Sequence, residues 1–144
     1  MLVRNMTVED IPAVVKIEKE CFSLPWSEKS FEESIPREDT IFLVCEEDES
    51  IMGYIGMYLS FDEASITNVA VASQFRKRGC AKQLVIAAKK AAKAAGAASI
   101  FLEVRFSNEP ALSLYKREGF ENIGIRKNFY QHPVEDAIIM KVGI

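Results

Sequence analysis

The sequence predicts a mixed α/β (α+β) fold, with a mostly antiparallel central sheet and helices on both of its faces. Three observations predict it. Residues 40–60 read as two strands joined across the polar turn Glu47-Asp48-Glu49-Ser50, which is an antiparallel hairpin. Residues 63–95 read as strand, basic glycine turn and helix. Residues 99–118 repeat the strand-then-helix order, so an antiparallel N-terminal half passes into βα units.

Each element has a local reason. Leu2 to Met6 forms a short strand, and Thr7 caps the helix after it, with Asp10 three residues on as an approximate capping box. Pro12 sits in the first turn, where its missing N–H costs nothing, and the helix ends near Cys21. Pro25 breaks the chain, and Ser27 caps a second short helix to about Ile35. Strands follow over Thr40–Glu46, Ile51–Ser60 and Glu63–Ala72; Gly53 and Gly56 inside the second point to a bulge or a close backbone approach. From Gly79, Ala81, Leu84, Val85, Ala88, Ala92 and Ala95 recur at helical steps until Gly96 stops them. Ser99–Arg105 is a strand, and Ser107 or Asn108 caps a helix that carries Pro110 in its first turn and ends at Gly119. Glu121–Tyr130 and Ala137–Val142 form a final strand pair across the loop Gln131–Asp136.

The 144 residues are the length of a single domain, 1–144, and enough to bury a core unaided. A net charge of −3 argues against a nucleic-acid binder by bulk electrostatics. No apolar run approaches a membrane span and no signal peptide is visible, so the expected location is cytoplasmic, with no membrane partner; a monomer is favoured, although sequence does not supply the oligomeric state. The odd, scattered set Cys21, Cys45 and Cys80 suits a reducing compartment, and the single His132 leaves no Cys/His metal cluster, so no metal is expected.

Against that acidic balance the turn Arg76-Lys77-Arg78-Gly79 stands out. A glycine at the first turn of a helix leaves backbone N–H groups bare at the positive helix end, and Lys82 adds charge there, so the place suits a phosphate. A solvated basic loop that merely starts a helix is the competing reading. A P-loop would need Lys then Ser or Thr after its last glycine, and a dinucleotide fingerprint would need three glycines; neither is present. Three further residues draw notice. Glu103 is a carboxylate within the apolar strand Ile100-Phe101-Leu102-Glu103-Val104; burial would raise its pKa and make it a base, while a surface pair with Arg105 is the plainer reading. Tyr115 is either core with a satisfied hydroxyl or a proton donor in a cleft. Trp26 is either a packing anchor between two helices or a wall of that cleft.

The arrangement Arg76-x-x-Gly79-x-Ala81 resembles the Q/R-x-x-G-x-G/A pyrophosphate loop of the GNAT family of N-acetyltransferases, whose element order is also the one read above. Leu102-Glu103-Val104-Arg105-x-Ser107-Asn108, followed by Ala111-Leu112-x-Leu114-Tyr115-x-x-x-Gly119-Phe120, is similar to one subgroup, the bacterial ribosomal-protein-alanine N-acetyltransferases of the RimI type. Pro25-Trp26-Ser27-Glu28-Lys29-x-Phe31, Asn68-Val69-Ala70-Val71, Arg126-x-Asn128-x-Tyr130 and Glu135–Met140 extend that likeness over essentially the whole chain. The short stretch before Glu135 departs from the pattern and bears on the peptide pocket.

The resemblance implies acetyl-coenzyme A as co-substrate and the N-terminus of a protein, the alanine of the small-subunit ribosomal protein numbered eighteen, as acceptor. It implies that Val69, Ala70 and Val71 present backbone to the acetyl and pantetheine groups. Lys77, Arg78, Gly79, Cys80, Ala81 and Lys82 would cradle the pyrophosphate, and Asn108 would bond the cofactor arm or cap its helix. Glu103 matches the family's general base, Tyr115 its general acid, and Tyr130, with Trp26, its peptide-binding segment. Two rivals stand beside this reading: the same fold acting on lysine, polyamines or another small amine, and a coenzyme A-binding module without catalysis.

Overall fold

The computed structural model describes residues 1–144. Seven strands form one sheet: β1 (Leu2–Asn5), β2 (Thr40–Glu47), β3 (Ser50–Ser60), β4 (Glu63–Val71), β5 (Ser99–Arg105), β6 (Glu121–Gln131) and β7 (Val134–Gly143). Their spatial order is β1-β2-β3-β4-β5-β7-β6, and only the β4–β5 pair is parallel. Four helices complete the fold: α1 (Ile11–Cys21), α2 (Glu28–Ser34), α3 (Cys80–Ala94) and α4 (Glu109–Arg117). The element order is the one read from the sequence, and the sheet is mixed and mostly antiparallel as expected.

Differences lie at element ends. A 3-10 turn, Val8–Asp10, precedes α1, and Asp10 Oδ2 accepts the Thr7 N–H at 2.8 Å, closing the capping box. The loop between the last two strands is much tighter than the six residues expected, because β7 begins at Val134 and leaves only His132 and Pro133 between strands. Both strand glycines are close approaches. A Cβ at Gly53 would lie 2.7 Å from the Ala70 carbonyl oxygen, and one at Gly56 would lie 2.5 Å from the Phe42 ring.

Hydrophobic burial holds a helix pair to each face of the sheet. Leu84, Val85, Ala88 and Ala92 of α3 and Leu112 and Tyr115 of α4 pack with Leu43, Ile55, Leu102 and Val104. Ile11, Val14 and Ile17 of α1 and Phe31 of α2 pack on the other face with Phe42, Val44, Tyr54 and Ala70.

Two irregularities shape the centre. The β3–β4 register shifts after Gly56, which faces Asn68 while Met57 faces Ile66, so Thr67 is an extra residue that bends β4. Beyond that bend β4 and β5 part: they pair only through Glu63–Ser99, Ala64–Ile100 and Ser65–Phe101. From there Asn68–Val71 runs along one side of a V-shaped opening and Leu102–Arg105 along the other.

Candidate active site

The opening collects the groups that the sequence singles out. On its β4 side, Ala72 N–H donates to the Met52 carbonyl of β3 at 2.9 Å. By strand alternation the Val69 and Val71 N–H groups point the other way, toward the opening. At the end of β4 the chain turns through Gly79, in the left-handed region at φ 84°, into α3. No side chain caps α3, whereas Ser27 caps α2 and Asn108 caps α4. The first N–H groups of α3 are therefore bare donors at the positive end of a four-turn helix, and nothing lies within 4 Å of where a Gly79 Cβ would be. That cradle fits a polyanionic phosphate ligand.

The basic residues do not all serve it. Arg76 turns back, its Nε donating to the Val71 carbonyl at 3.3 Å and its Nη2 lying 3.4 Å from Cys21 Sγ. The expectation that Arg76 adds to the anion site is corrected accordingly. Arg78 pairs with Glu47 and stands over the Phe75 ring at 5.8 Å. Lys77 takes a left-handed backbone, φ 63°, that helps the turn present its amides. Cys80 is buried against Cys45, and burial pushes both thiols above their ordinary range. Cys80 therefore contributes its backbone N–H to the cradle and its side chain to the core. Asn108 caps α4 by accepting the Ala111 N–H at 3.3 Å, one of its two expected roles.

On the β5 side, Leu102 and Val104 are core residues on the α3/α4 face, so Glu103 points to the opposite face. Of the two readings of Glu103, the plainer one, a surface charge, holds, and burial does not. Its side chain is 33% exposed, and Oε2 accepts from Arg126 Nη1 at 3.1 Å. The partner is not the Arg105 expected, because Arg105 pairs with Glu135 at 3.2 Å. Tyr115 approaches from the α4 side, 7% exposed, with its ring 5.6 Å from Phe120. Burial, with a smaller effect of Tyr130, pushes its phenol up to about 12. Tyr115 thus holds its proton through neutral pH. Tyr130 is also raised, by burial first and Glu103 next, while Arg105 pulls it back. Tyr130 is near enough both to feel the Glu103 charge and to act on Tyr115.

Trp26 is a packing anchor, 5.3 Å from Phe31 and 6.1 Å from Phe42 between ring centroids. What the sequence reading missed lies beneath it. Glu18 is 1% exposed and makes no ion pair; its Oε2 accepts the Trp26 N–H at 2.7 Å and its Oε1 accepts from the Tyr54 hydroxyl. Asn68 is buried beside Tyr54, and its Oδ1 has no hydrogen-bond partner. Burial and Glu18 hold the Tyr54 phenol well above its ordinary range. A signal for Glu18 was present: it falls in the stripe Ile11, Val14, Glu18, Cys21, at steps of three and four.

A strand pair that parts beside a bare helix N-terminus, flanked by a carboxylate and a phenol on opposite faces, defines an acyl-transfer class of site. Residues 11–120 match the model of the acetyltransferase (GNAT) family, and the chain belongs to that family. A Bacillus subtilis relative is 41% identical over 143 residues, spanning 99% of this chain and 95% of its own. The fold superposes on the ribosomal-protein-S18-alanine N-acetyltransferase from Escherichia coli with a TM-score of 0.90 at 30% identity, covering 99% of this chain and 93% of that one. It is also similar to Arabidopsis thaliana NAA60 in complex with acetyl-CoA, with a TM-score of 0.89 over 99% of both chains; at 19% identity this shows the fold alone. No helix is long and apolar enough to cross a membrane.

Proposed function

We propose that the chain is a single-domain, cytoplasmic Nα-acetyltransferase that moves the acetyl group of acetyl-CoA to the N-terminal alanine of a ribosomal protein. The small-subunit protein S18 is the favoured acceptor. The observation that carries the reading is the parting of β4 and β5 between the uncapped α3 N-terminus and the Glu103–Tyr115 pair. Backbone donors from Gly79 to Lys82, with Lys77, Arg78 and Lys82 side chains, hold the pyrophosphate. Val69 to Val71 supply backbone bonds to the pantetheine arm, and Asn108 lies at the arm's other side. A peptide enters over Tyr130 and the loop that bears Trp26.

The step is direct attack. An α-amine with a pKa of about 7.7–8.0 has an appreciable neutral fraction near pH 7, whereas a lysine amine near about 10.4 has almost none. This favours the α-amine over the lysine-directed rival. The neutral nitrogen forms a bond to the thioester carbonyl carbon while the Val71 N–H polarises the carbonyl oxygen. Glu103 takes the excess amine proton, through a water. The carbon–sulfur bond breaks and Tyr115 gives its proton to the leaving thiolate. The elevated Tyr115 pKa suits a group that must stay protonated until that moment.

A competition experiment tests the proposal: peptides starting with Ala or Ser, N-terminally blocked peptides with an internal Lys, and polyamines are offered together. Mass spectrometry should find the acetyl group on the α-nitrogen of the first set. Preferential modification of the blocked peptides or the polyamines would reject the Nα assignment while leaving acetyl transfer in place. A protein that binds acetyl-CoA and acetylates none of them would be the non-catalytic module.

A further inference from the structure

The end of β5 carries an arginine that the reaction does not use. The Arg105 guanidinium lies 4.2 Å from the centre of the Tyr130 ring, in cation–π contact. One of its nitrogens, Nη1, donates to the Pro133 carbonyl at 3.0 Å and to Glu135 Oε1 at 3.2 Å, and Nη2 donates to the His132 carbonyl at 3.2 Å. A single side chain thus holds both residues of the β6–β7 turn, the first acidic residue after it and the ring before it. A lysine lacks the planar fork needed to do this.

The surroundings show why so much holding is needed. Between the pairs Arg126–Ala137 and Tyr130–Glu135, β6 has three residues where β7 has one, so the ladder cannot fix where Tyr130 points. Asn128, at φ 52°, makes the bend, and its N–H donates to Asp136 Oδ1 at 2.9 Å. Glu135 extends the tie to the other wall: its Oε2 accepts the Ser107 N–H at 2.6 Å, next to the Asn108 cap of the helix that carries Tyr115. The Ser107 bond and then Arg105 keep the Glu135 carboxyl below its usual range, so it is an anion at working pH. The turn is joined to the α1–α2 loop as well, where Ser23 Oγ donates to the His132 carbonyl at 3.0 Å.

We propose that Arg105 is a positioning residue for the acceptor. It sets the Tyr130 ring and the 131–134 turn against the residues that follow the reacting amine, and so determines how tightly an extended acceptor binds. It does not touch the reacting atoms. This inference rests on the proposed peptide-binding reading of the Tyr130 segment.

The test compares two acceptors, alaninamide, which ends beyond its first residue, and a six-residue peptide starting with Ala. Arg105→Ala is expected to lower kcat/KM for the hexapeptide about tenfold, chiefly through KM, because the stacking and fork contacts together amount to roughly that factor. Transfer to alaninamide and the acetyl-CoA dissociation constant should stay within about twofold. Arg105→Lys, which keeps charge and bulk, should show a smaller loss in the same pattern and serves as the test if the alanine variant does not fold. In a cycle with Tyr130→Ala the two losses on the hexapeptide should not add, because the ring is the thing positioned. Equal losses on both acceptors, no loss on either, or additive losses in the cycle would overturn the proposal. Failure of the unsubstituted protein to acetylate either acceptor would overturn the Nα-acetyltransferase reading itself, and this inference with it.

Discussion

The two faces of the sheet are built differently. The α3/α4 face is mostly aliphatic, with Tyr115 and Phe120 as its aromatic residues: Leu84, Val85, Ala88 and Ala92 lie against Ile55, Ile100 and Leu102, all buried. The α1/α2 face is aromatic and carries polar groups, with Phe31, Phe42 and Tyr54 packed around Glu18 and Asn68. The aliphatic face steadies a site made of backbone, namely a strand edge and a helix N-terminus. The aromatic face steadies a loop, because Glu18 grips the Trp26 N–H from below. A non-directional core suffices where the main chain binds, whereas a directional one is needed to hold a connecting segment in place.

The sharpest way to break this division is at the chemistry between the faces. Tyr115→Phe and Glu103→Gln should each lower turnover by about two to four powers of ten while leaving acetyl-CoA affinity nearly unchanged, in steady-state kinetics paired with calorimetry. Normal turnover in both would remove the acid–base pair.

Next come matched cuts in the two faces. Leu84→Ala should lower folding stability by about 2–5 kcal/mol through cavity formation, with acceptor KM unchanged. Glu18→Ala should lower it by about 2–5 kcal/mol, because the buried Tyr54 hydroxyl and the part-buried Trp26 N–H lose their acceptor, and should also raise acceptor KM. Denaturant melts and kinetics on the same samples decide the matter. A Glu18 variant with unaltered KM would show that the aromatic face does not govern the loop.

A smaller effect is expected at the phosphate cradle. Arg78→Ala should weaken acetyl-CoA binding about three- to tenfold and flatten its salt dependence, since one exposed cation among backbone donors is removed. Calorimetry at two ionic strengths checks this.

An effect of similar size belongs to the pair that ties β1 to the start of α1. Arg4 bonds both oxygens of Asp10 at 2.8 Å, and that bond, against opposing burial, holds the Asp10 carboxyl below the usual carboxylate range. A carboxylate depressed in the folded state stabilises above its unfolded pKa and loses that contribution as pH falls through the folded one. Stability should therefore decline below about pH 4, and Asp10→Asn should cost about 1–2 kcal/mol at pH 7 and less at pH 3. Thermal melts across that range would show an unchanged slope if the pair contributes nothing.

How much of this was legible in the sequence follows the same division. All seven strands and four helices are present in the order that periodicity and capping residues give, and Ser99–Arg105 matches to the residue. The cradle was legible because Gly79 and its cations are contiguous. The proposed acceptor side was not, because its contacts join residues far apart in the chain: Glu18 with Tyr54, Arg105 with Glu135, Ser23 with His132. The same reason hid the partner of Glu103. Its neighbours along the strand are apolar, but the partner that decides its environment, Arg126, comes from another strand. Local patterns report what one element does with itself and are silent about which side chains meet across the sheet.

The three paired residues between β4 and β5 have one more consequence. They lie at one end, where Ala98 N–H also reaches the Asp62 carbonyl at 2.6 Å and Ile144 N–H the Ala98 carbonyl at 2.9 Å. Mechanically the sheet is a clothes-peg, two rigid jaws joined at a short spring. The inward amides of β4 belong to the middle of the protein by position and to its rim by hydrogen bonding, so they should exchange with solvent hydrogen like those of an outer strand. Whatever spans the jaws supplies the rungs the strands omit, and its binding energy becomes cohesion between the two halves of the molecule.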